Sequence, residues 1–323
     1  MGGHLLRRIG QYVLVILVAI VIDFMIPQLM PGDPLKAILG ENLFGMDQEQ
    51  IQAVRLHYGL DLPLHEQFLH YVKQVFTLDL GYSYKFRKPV ADLIKQRLPW
   101  TLLLTFTSLI ISVTVGSALG VWAAFRRGSR SDVGLLTVLL GISSLPSFWV
   151  AMVLIAIFAV QLKILPIYGA KSLVIKYTGM AYYWDLFKHW LLPATTIILV
   201  SIPGWFMTMR YSMLSTLGSD YIRTARAKGL SERVVMFRHA MRNALLPVVT
   251  GLMLGLAYSV SGATLVETVF SYPGVGRMLF EAVYFRDYPV IRSTFLMITF
   301  TVVGANLIAD LIYPLVDPRV RGS

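Results

Sequence analysis

His65, Glu66 and His70 come nearest in this sequence to the residue set of a metal-dependent hydrolase. A zinc protease helix needs its two histidines at i and i+4, so that both rings face one metal beside a glutamate acting as general base. Here the spacing is i+5, which turns the rings roughly 140° apart on a helix, and a solvated helix face is the better reading. Other chemistries fail on residue type. No Gly is followed by Lys, so there is no G-x-x-x-x-G-K-[ST] loop to cradle a phosphate, and no G-x-S-x-G elbow presents a serine nucleophile. Without cysteine there is neither a thiolate metal site nor a disulfide. The residues support no catalytic site and no metal site.

A different constellation stands at 220–247, DYIRTARAKGLSERVVMFRHAMRNALLP, where six Arg or Lys face two acids. Ser219 is placed to cap a short helix through Arg226, Gly229 to end it in the left-handed conformation, and Ser231 to cap a second helix. The spacing puts Val234, Met241 and Leu245 on one face of that helix, with Arg238 and Arg242 one turn apart on another. Pro247 then opens an apolar segment. The pattern predicts a short amphipathic helical pair between two greasy elements. As a nucleic-acid reader it has too few basic residues and a membrane on both sides; a plain solvated loop would need no pair of capped helices.

The elements around this pair are those of a membrane protein. Hydrophobic residues make up 56% of the 323, charged residues 15%, and the mean hydropathy is +0.63, more than a water-soluble domain can bury. Crossing the hydrocarbon takes about 20 apolar residues. Six runs qualify: Ile9 to Met30, Trp100 to Phe125, Val133 to Val160 with a kink at Pro146, Trp190 to Met209, Val248 to Phe270 and Val290 to Val316. They lack strand alternation, so they are read as helices. The first run is too long for a signal-peptide core and is read as a retained span.

Arg7 and Arg8, Arg126, Arg127 and Arg130, the 220–247 stretch, and Arg319 and Arg321 all fall on one side of six spans, which makes that side and both termini cytoplasmic. Lys163, Lys171, Lys176 and Lys188 on the other side soften the contrast. The net charge of +11 is then mostly a topology signal, with attraction to anionic membrane lipid as a by-product. The chain divides into 1–30, a cytoplasmic end and first span; 31–98, an extracytoplasmic segment; and 99–323, a five-span core carrying the loop 211–247. Within 31–98, Asp47 with Gln50 resembles a capping box opening a helix that Gly59 could end. Pro63 suits the first turn of a second helix bearing Leu64, Phe68, Tyr71, Val72 and Val75. This cap serves either as a docking surface or as a seal on the helix ends.

Asp23, Arg210, Glu267 and Asp310 lie within or at the ends of spans, where a charge facing lipid costs about 2.5 to 3.5 kcal/mol. Structural pairing or interfacial placement explains such scattered groups better than a proton relay does. Gly116 with Gly120 and Gly251 with Gly255 permit close helix packing. Ser259, Ser261, Thr264 and Glu267 could line a polar path, or the hydroxyls could bond to their own helix; the richness of this span in small and hydroxyl residues favours the path.

The 220–247 stretch also resembles the cytoplasmic EAA loop of permease subunits in binding-protein-dependent ABC importers, in the form used by the peptide and nickel branch. DYIRTARAKGL and RHAMRNALLPVVT carry the likeness. LMPGDP at 29–34, DLGYS at 79–83, ETVFSYPGVGR at 267–277, RDYP at 286–289 and DLIYPLVDPRVR at 310–321 extend it over nearly the whole chain. Arg223-Thr224-Ala225 stands where the general loop has Glu-Ala-Ala, and the Leu-Pro lies farther beyond Gly229 than in sugar importers; both are usual in the peptide branch.

The resemblance implies an all-α, type I importer-like permease with six transmembrane helices, a coupling-helix loop and a small helical extracytoplasmic segment. It also implies that Arg223, Thr224, Ala225, Arg226, Lys228, Gly229 and Glu232 contact an ATPase: Ala225 would allow close approach and Gly229 make the turn. The implied partners are a second homologous permease, two cytoplasmic ATPase subunits that hold ATP and Mg, and an extracytoplasmic binding protein. This chain would bind no cofactor and catalyse nothing. The cargo implied is a peptide, with oligosaccharides and nickel complexes carried by similar permeases. The rival reading is an ion-coupled secondary transporter working without ATPases through Asp23, Glu267 or Asp310.

Overall fold

The computed structural model describes residues 2–30, 35, 39, 46–57, 61–173, 175 and 177–316. Outside them lie positions 31–34 of LMPGDP, Gly59, Lys176, and 317–321 with Arg319 and Arg321; the side chains of Arg7, Arg8 and Asp310 are outside as well. Among the described residues five helices are long and apolar enough to cross a bilayer: Gly10–Leu29, Val90–Phe125, Met180–Leu217, Leu246–Val269 and Tyr288–Leu307. A bent pair, Arg130–Ser143 with Ser147–Gln161, supplies the sixth when counted as one span. No strand forms among these residues, only an isolated bridge between Tyr82 and Pro89.

The first helix, α1, runs Gly2–Leu29. Two short helices follow, α2 (Gln48–His57) and α3 (Leu64–Thr77). The capping box expected before α2 is present in both directions: Gln50 N–H donates to Asp47 Oδ1 (2.8 Å) and Asp47 N–H to Gln50 Oε1 (3.2 Å). Pro63 precedes α3 with φ −55°, and α3 seats Phe68, Tyr71, Val72 and Val75 against Ile20 and Phe24 of α1 and Leu296 of the last helix. The cap therefore shares a core with two spans. His65 and His70 are exposed, and no group of metal-binding side chains forms among the described residues.

The central pair is α4 (Val90–Phe125) with α7 (Met180–Leu217). A Cβ on Gly116 would lie 2.7 Å from Trp205 Cβ and 2.9 Å from the Ile202 carbonyl; on Gly120 it would lie 2.7 Å from the Phe206 carbonyl. Only glycine lets these backbones touch, as the spacing in the sequence predicts. Gly251 and Gly255 are less critical, because a Cβ there meets only the tips of Trp205 and Leu109.

Between them, α5 (Arg130–Ser143) and α6 (Ser147–Leu154, continued by a π turn Ile155–Gln161) meet at a bend of 97°. The expected kink is thus a full break. Pro146 has no N–H and disfavours helical geometry at Leu145, while the Ser144 N–H closes α5 on the carbonyls of Leu140 and Gly141. Arg210 of α7 is held by Asp132 of α5 through two bonds of 2.9 and 2.8 Å, so its charge is paired inside the bundle.

After α7 come α8 (Asp220–Ala227) and α9, residues 232–244, built from Glu232–Val234, a π turn Val235–Ala240 and Met241–Ala244. The fifth span is interrupted: α10 (Leu246–Tyr258) ends in a 3-10 turn at Ser259–Ser261, Gly262 takes φ +78°, and α11 (Thr264–Val269) resumes. Thr105 of α4 donates to the Ser259 carbonyl (2.9 Å) and so satisfies one acceptor freed by the break. Then α12 (Val275–Phe285) and α13 (Tyr288–Val316) complete the chain. The hairpin carrying DLGYS closes on RDYP at this joint: Ser83 Oγ and Lys85 N–H both donate to Asp287, and Ser293 Oγ donates to the Leu80 carbonyl.

Candidate functional site

Helix α8 has one buried and one open face. Ile222 and Ala225 are buried in a cluster with Met209 and Met213 of α7, Ala124 of α4, Val235, Met236, Ala240 and Ala244 of α9, and Val248 of α10. Arg223, Thr224, Arg226, Lys228, Gly229 and Glu232 are exposed. Six of the seven residues carried over from the resemblance thus share one open surface. The seventh, Ala225, approaches its own chain closely.

The end of α8 follows the Schellman pattern. Gly229 N–H donates to the Arg226 carbonyl (2.9 Å), Leu230 N–H reaches back to Ala225 (3.4 Å), and Gly229 has φ +74°. A Cβ on Gly229 would meet nothing within 4 Å, so the requirement for glycine here is conformational and not steric. The starts of the two helices differ from expectation. Ser219 and Ser231 have extended cap backbones, yet neither side chain accepts a capping bond, and the Ser219 hydroxyl instead donates to Thr216.

Charges on the open face are already partly matched. Arg226 makes a two-point contact with Glu232 at 2.8 and 3.1 Å, and Arg223 approaches Asp220 at 3.4 Å. The hydrogen bond from Arg226 holds the Glu232 carboxyl below its ordinary range. Asn243 donates to the Tyr221 hydroxyl (2.7 Å) and ties α9 to α8. In α9 the buried positions are Val235, Met236, Ala240 and Ala244, whereas Val234 is 37% exposed. The face predicted from Val234, Met241 and Leu245 is therefore rotated, because the π turn inserts an extra residue into the helical register. Met241 and Leu245 still pack on the cluster's edge, and Arg238 and Arg242 are exposed as expected.

The four residues read as a path have different surroundings, although Thr264 Oγ1 and Glu267 Oε2 both come close to Gly276. The Ser259 hydroxyl donates to Gly255 (2.9 Å) and that of Ser261 to Tyr258 (2.6 Å), both within their own helix. Thr264 is partly exposed. Glu267 is wholly buried in a cradle: Thr101 Oγ1 (3.1 Å), Arg277 N–H (3.0 Å) and Ala263 N–H (3.4 Å) all donate to it, as does Gly276 N–H. The glycines of ETVFSYPGVGR make room for it, since a Cβ on Gly274 would run into the Glu267 carboxylate. Thr101 also accepts from Val275 N–H (2.7 Å) and so links α4 to α12 through the same centre.

Sequence reasoning missed Thr101 and Asp132, the partners of Glu267 and Arg210, and met Asp287 only within RDYP. One of them leaves a trace, because Asp132 stands three residues after Ser129 in a helix-opening pattern and its N–H does donate to Ser129 Oγ (3.2 Å).

Residues 116–322 match the family model described as "Binding-protein-dependent transport system inner membrane component", and residues 1–105 match the N-terminal model that accompanies it. The glutathione transport system permease protein GsiC of Salmonella choleraesuis (strain SC-B67) is 38% identical over 324 residues, 99% of either chain. Its namesake in Escherichia coli (strain K12) is 36% identical over 321 residues, again 99% of each. Among solved structures, a chain of the MetNI methionine ABC transporter in an inward-facing conformation aligns with a TM-score of 0.57 at 15% identity, covering 71% of this chain and 98% of that one. At that identity the likeness speaks for the fold alone.

Proposed function

This chain belongs to the family of binding-protein-dependent transport system inner membrane components, and from that premise we propose that it forms half of the translocation pathway of an ATP-driven importer. A second homologous permease supplies the other half, two cytoplasmic ATPase subunits hydrolyse ATP, and an extracytoplasmic binding protein delivers the solute. The chain itself is not an enzyme. The observation that carries the reading is the form of α8: a polar outer face on a helix whose inner face is packed with Ile222 and Ala225 among the ends of α4, α7 and α10. A displacement imposed on that outer face passes into this shared core. It moves three spans together, as alternation between outward-facing and inward-facing states requires.

Peptides are the cargo class the reading favours. The relatives of known name carry glutathione, a small peptide with free carboxylates, and their likeness spans the whole chain. Contacts to the ATPase fall to Arg223, Thr224, Arg226, Lys228 and Glu232, with Gly229 setting the turn.

The test is reconstitution with the partner subunits in vesicles. Gly229→Val strains the positive φ without creating a clash, and is expected to leave the complex assembled while reducing uptake per ATP hydrolysed by about tenfold or more. Uptake at the normal rate with no ATPase subunit present would refute the importer reading and return the ion-coupled transporter. Because the chain has no native cysteine, a single cysteine at Lys228 or at exposed Leu69 also tests orientation. Reagents that cannot cross the membrane should label the second from outside the cell and the first only after lysis.

A further inference from the structure

Between the α2–α3 cap and the start of α13 lies a cavity of about 710 Å³, at the end of the bundle opposite α8. Its size falls within the roughly 300 to 1,000 Å³ of small-molecule sites. The walls are mixed, with Gln28, Gln67, His70, Gln74 and Asp79 set among apolar residues. Two further groups on this wall are unsatisfied. Tyr71 is only 5% exposed, and its hydroxyl has no hydrogen-bond partner. Arg292 lies with its guanidinium 4.8 Å from the Phe24 ring and 5.3 Å from the Tyr71 ring, yet its Nε is buried without an acceptor.

Aromatic faces offset part of the cost of holding a guanidinium out of water but do not saturate its donors. Asp23 is the nearest candidate acid on α1, and it does not pair with Arg292: its Oδ2 is itself buried without a partner. Tyr71 and Arg292 both line this cavity, and each has a donor atom that nothing among the described residues satisfies; an acceptor-rich anionic group seated against them would complete those donors.

We propose that this cavity binds the carboxylate end of a small peptide-like solute, with Arg292 and the Tyr71 hydroxyl donating to the carboxylate and the glutamine amides facing its backbone. The identity of the solute rests on the importer reading; the binding does not, and it is measured without transport. The complex of this permease with its partner subunits is placed in phosphatidylcholine nanodiscs, which carry no net-anionic headgroup, without ATP or binding protein, and titrated calorimetrically with triglycine. Saturable binding is expected. It should weaken about tenfold or more for triglycine amide, and by a similar factor in Arg292→Gln, as loss of a charge-assisted contact requires. Arg292→Lys should retain an intermediate affinity, and Tyr71→Phe should weaken binding a few-fold.

Equal affinity for the acid and the amide, or no saturable binding at millimolar triglycine, overturns the site. So does an Arg292→Gln variant that stops uptake with triglycine binding unchanged, which would assign Arg292 to a pairing with Asp23 in another state of the cycle. If the glutamine variant fails to assemble, the lysine variant and the amide still decide. Binding that behaves as expected beside uptake that needs no ATPase would uphold the site and refute the importer.

Discussion

At the scale of single residues, two buried acids of this chain are each held by several hydrogen-bond donors. Glu267 is ringed by donors, three of them backbone N–H groups and one the Thr101 hydroxyl. Either way round, a glutamine there turns its NH₂ toward at least one backbone N–H, which can only donate. Glu267→Gln should therefore destabilise the chain by about 1 to 3 kcal/mol, the usual cost of leaving buried donors unmatched, read as a lowered melting temperature in detergent. At Asp287, outside the spans, burial holds the carboxyl above the ordinary range despite the bonds from Ser83 and Lys85. The folded chain thus keeps this proton at a pH where the unfolded chain has lost it, so stability from this group is complete at low pH and falls as pH rises through the raised value. Asp287→Asn should remove that component. Its melting temperature should decline less than the parent's from about pH 4 upward, and parallel declines would refute the assignment.

At the scale of elements, glycine spacing was the most readable packing signal in the sequence. Gly116 and Gly120 predicted a close contact and made one, because in lipid only small residues bring helices to backbone distance. Gly120→Leu should push α4 off α7 and abolish assembly, whereas Gly255→Ala, which meets only the Leu109 tip, should assemble nearly as the parent does; gel filtration of the solubilised complex distinguishes them. The capping box before α2 and the turn at Gly229 were equally legible, each being written in residues adjacent along the chain. What the sequence concealed was non-local or one residue out of step. Nothing in a period of 3.6 announces the π turn that rotates α9, and a hydropathy run through Ser259–Gly262 stays apolar while the helix breaks. The Asp132–Arg210 clamp joins positions 78 apart, a pairing that the sequence offers only as two charges each in want of a partner.

At the scale of the molecule, two ends of one bundle carry the two activities proposed for it. The cap shares a core with α1 and α13, and α8 shares another with α4, α7 and α10. Along α4, which runs the full depth between them, Thr101 fixes the Glu267 cradle at one end and Ala124 packs under α8 at the other. The contact between Arg226 and Glu232 has a consequence for how this end meets a partner. Both side chains stand in water, where such a pair is worth little by itself. An incoming acidic surface that reaches for Arg226 must nonetheless displace Glu232, and the freed glutamate then needs a cation in return. Association at this spot is an exchange of counterions and not a net neutralisation, so it should be nearly isoenergetic, fast in both directions and weakly sensitive to salt.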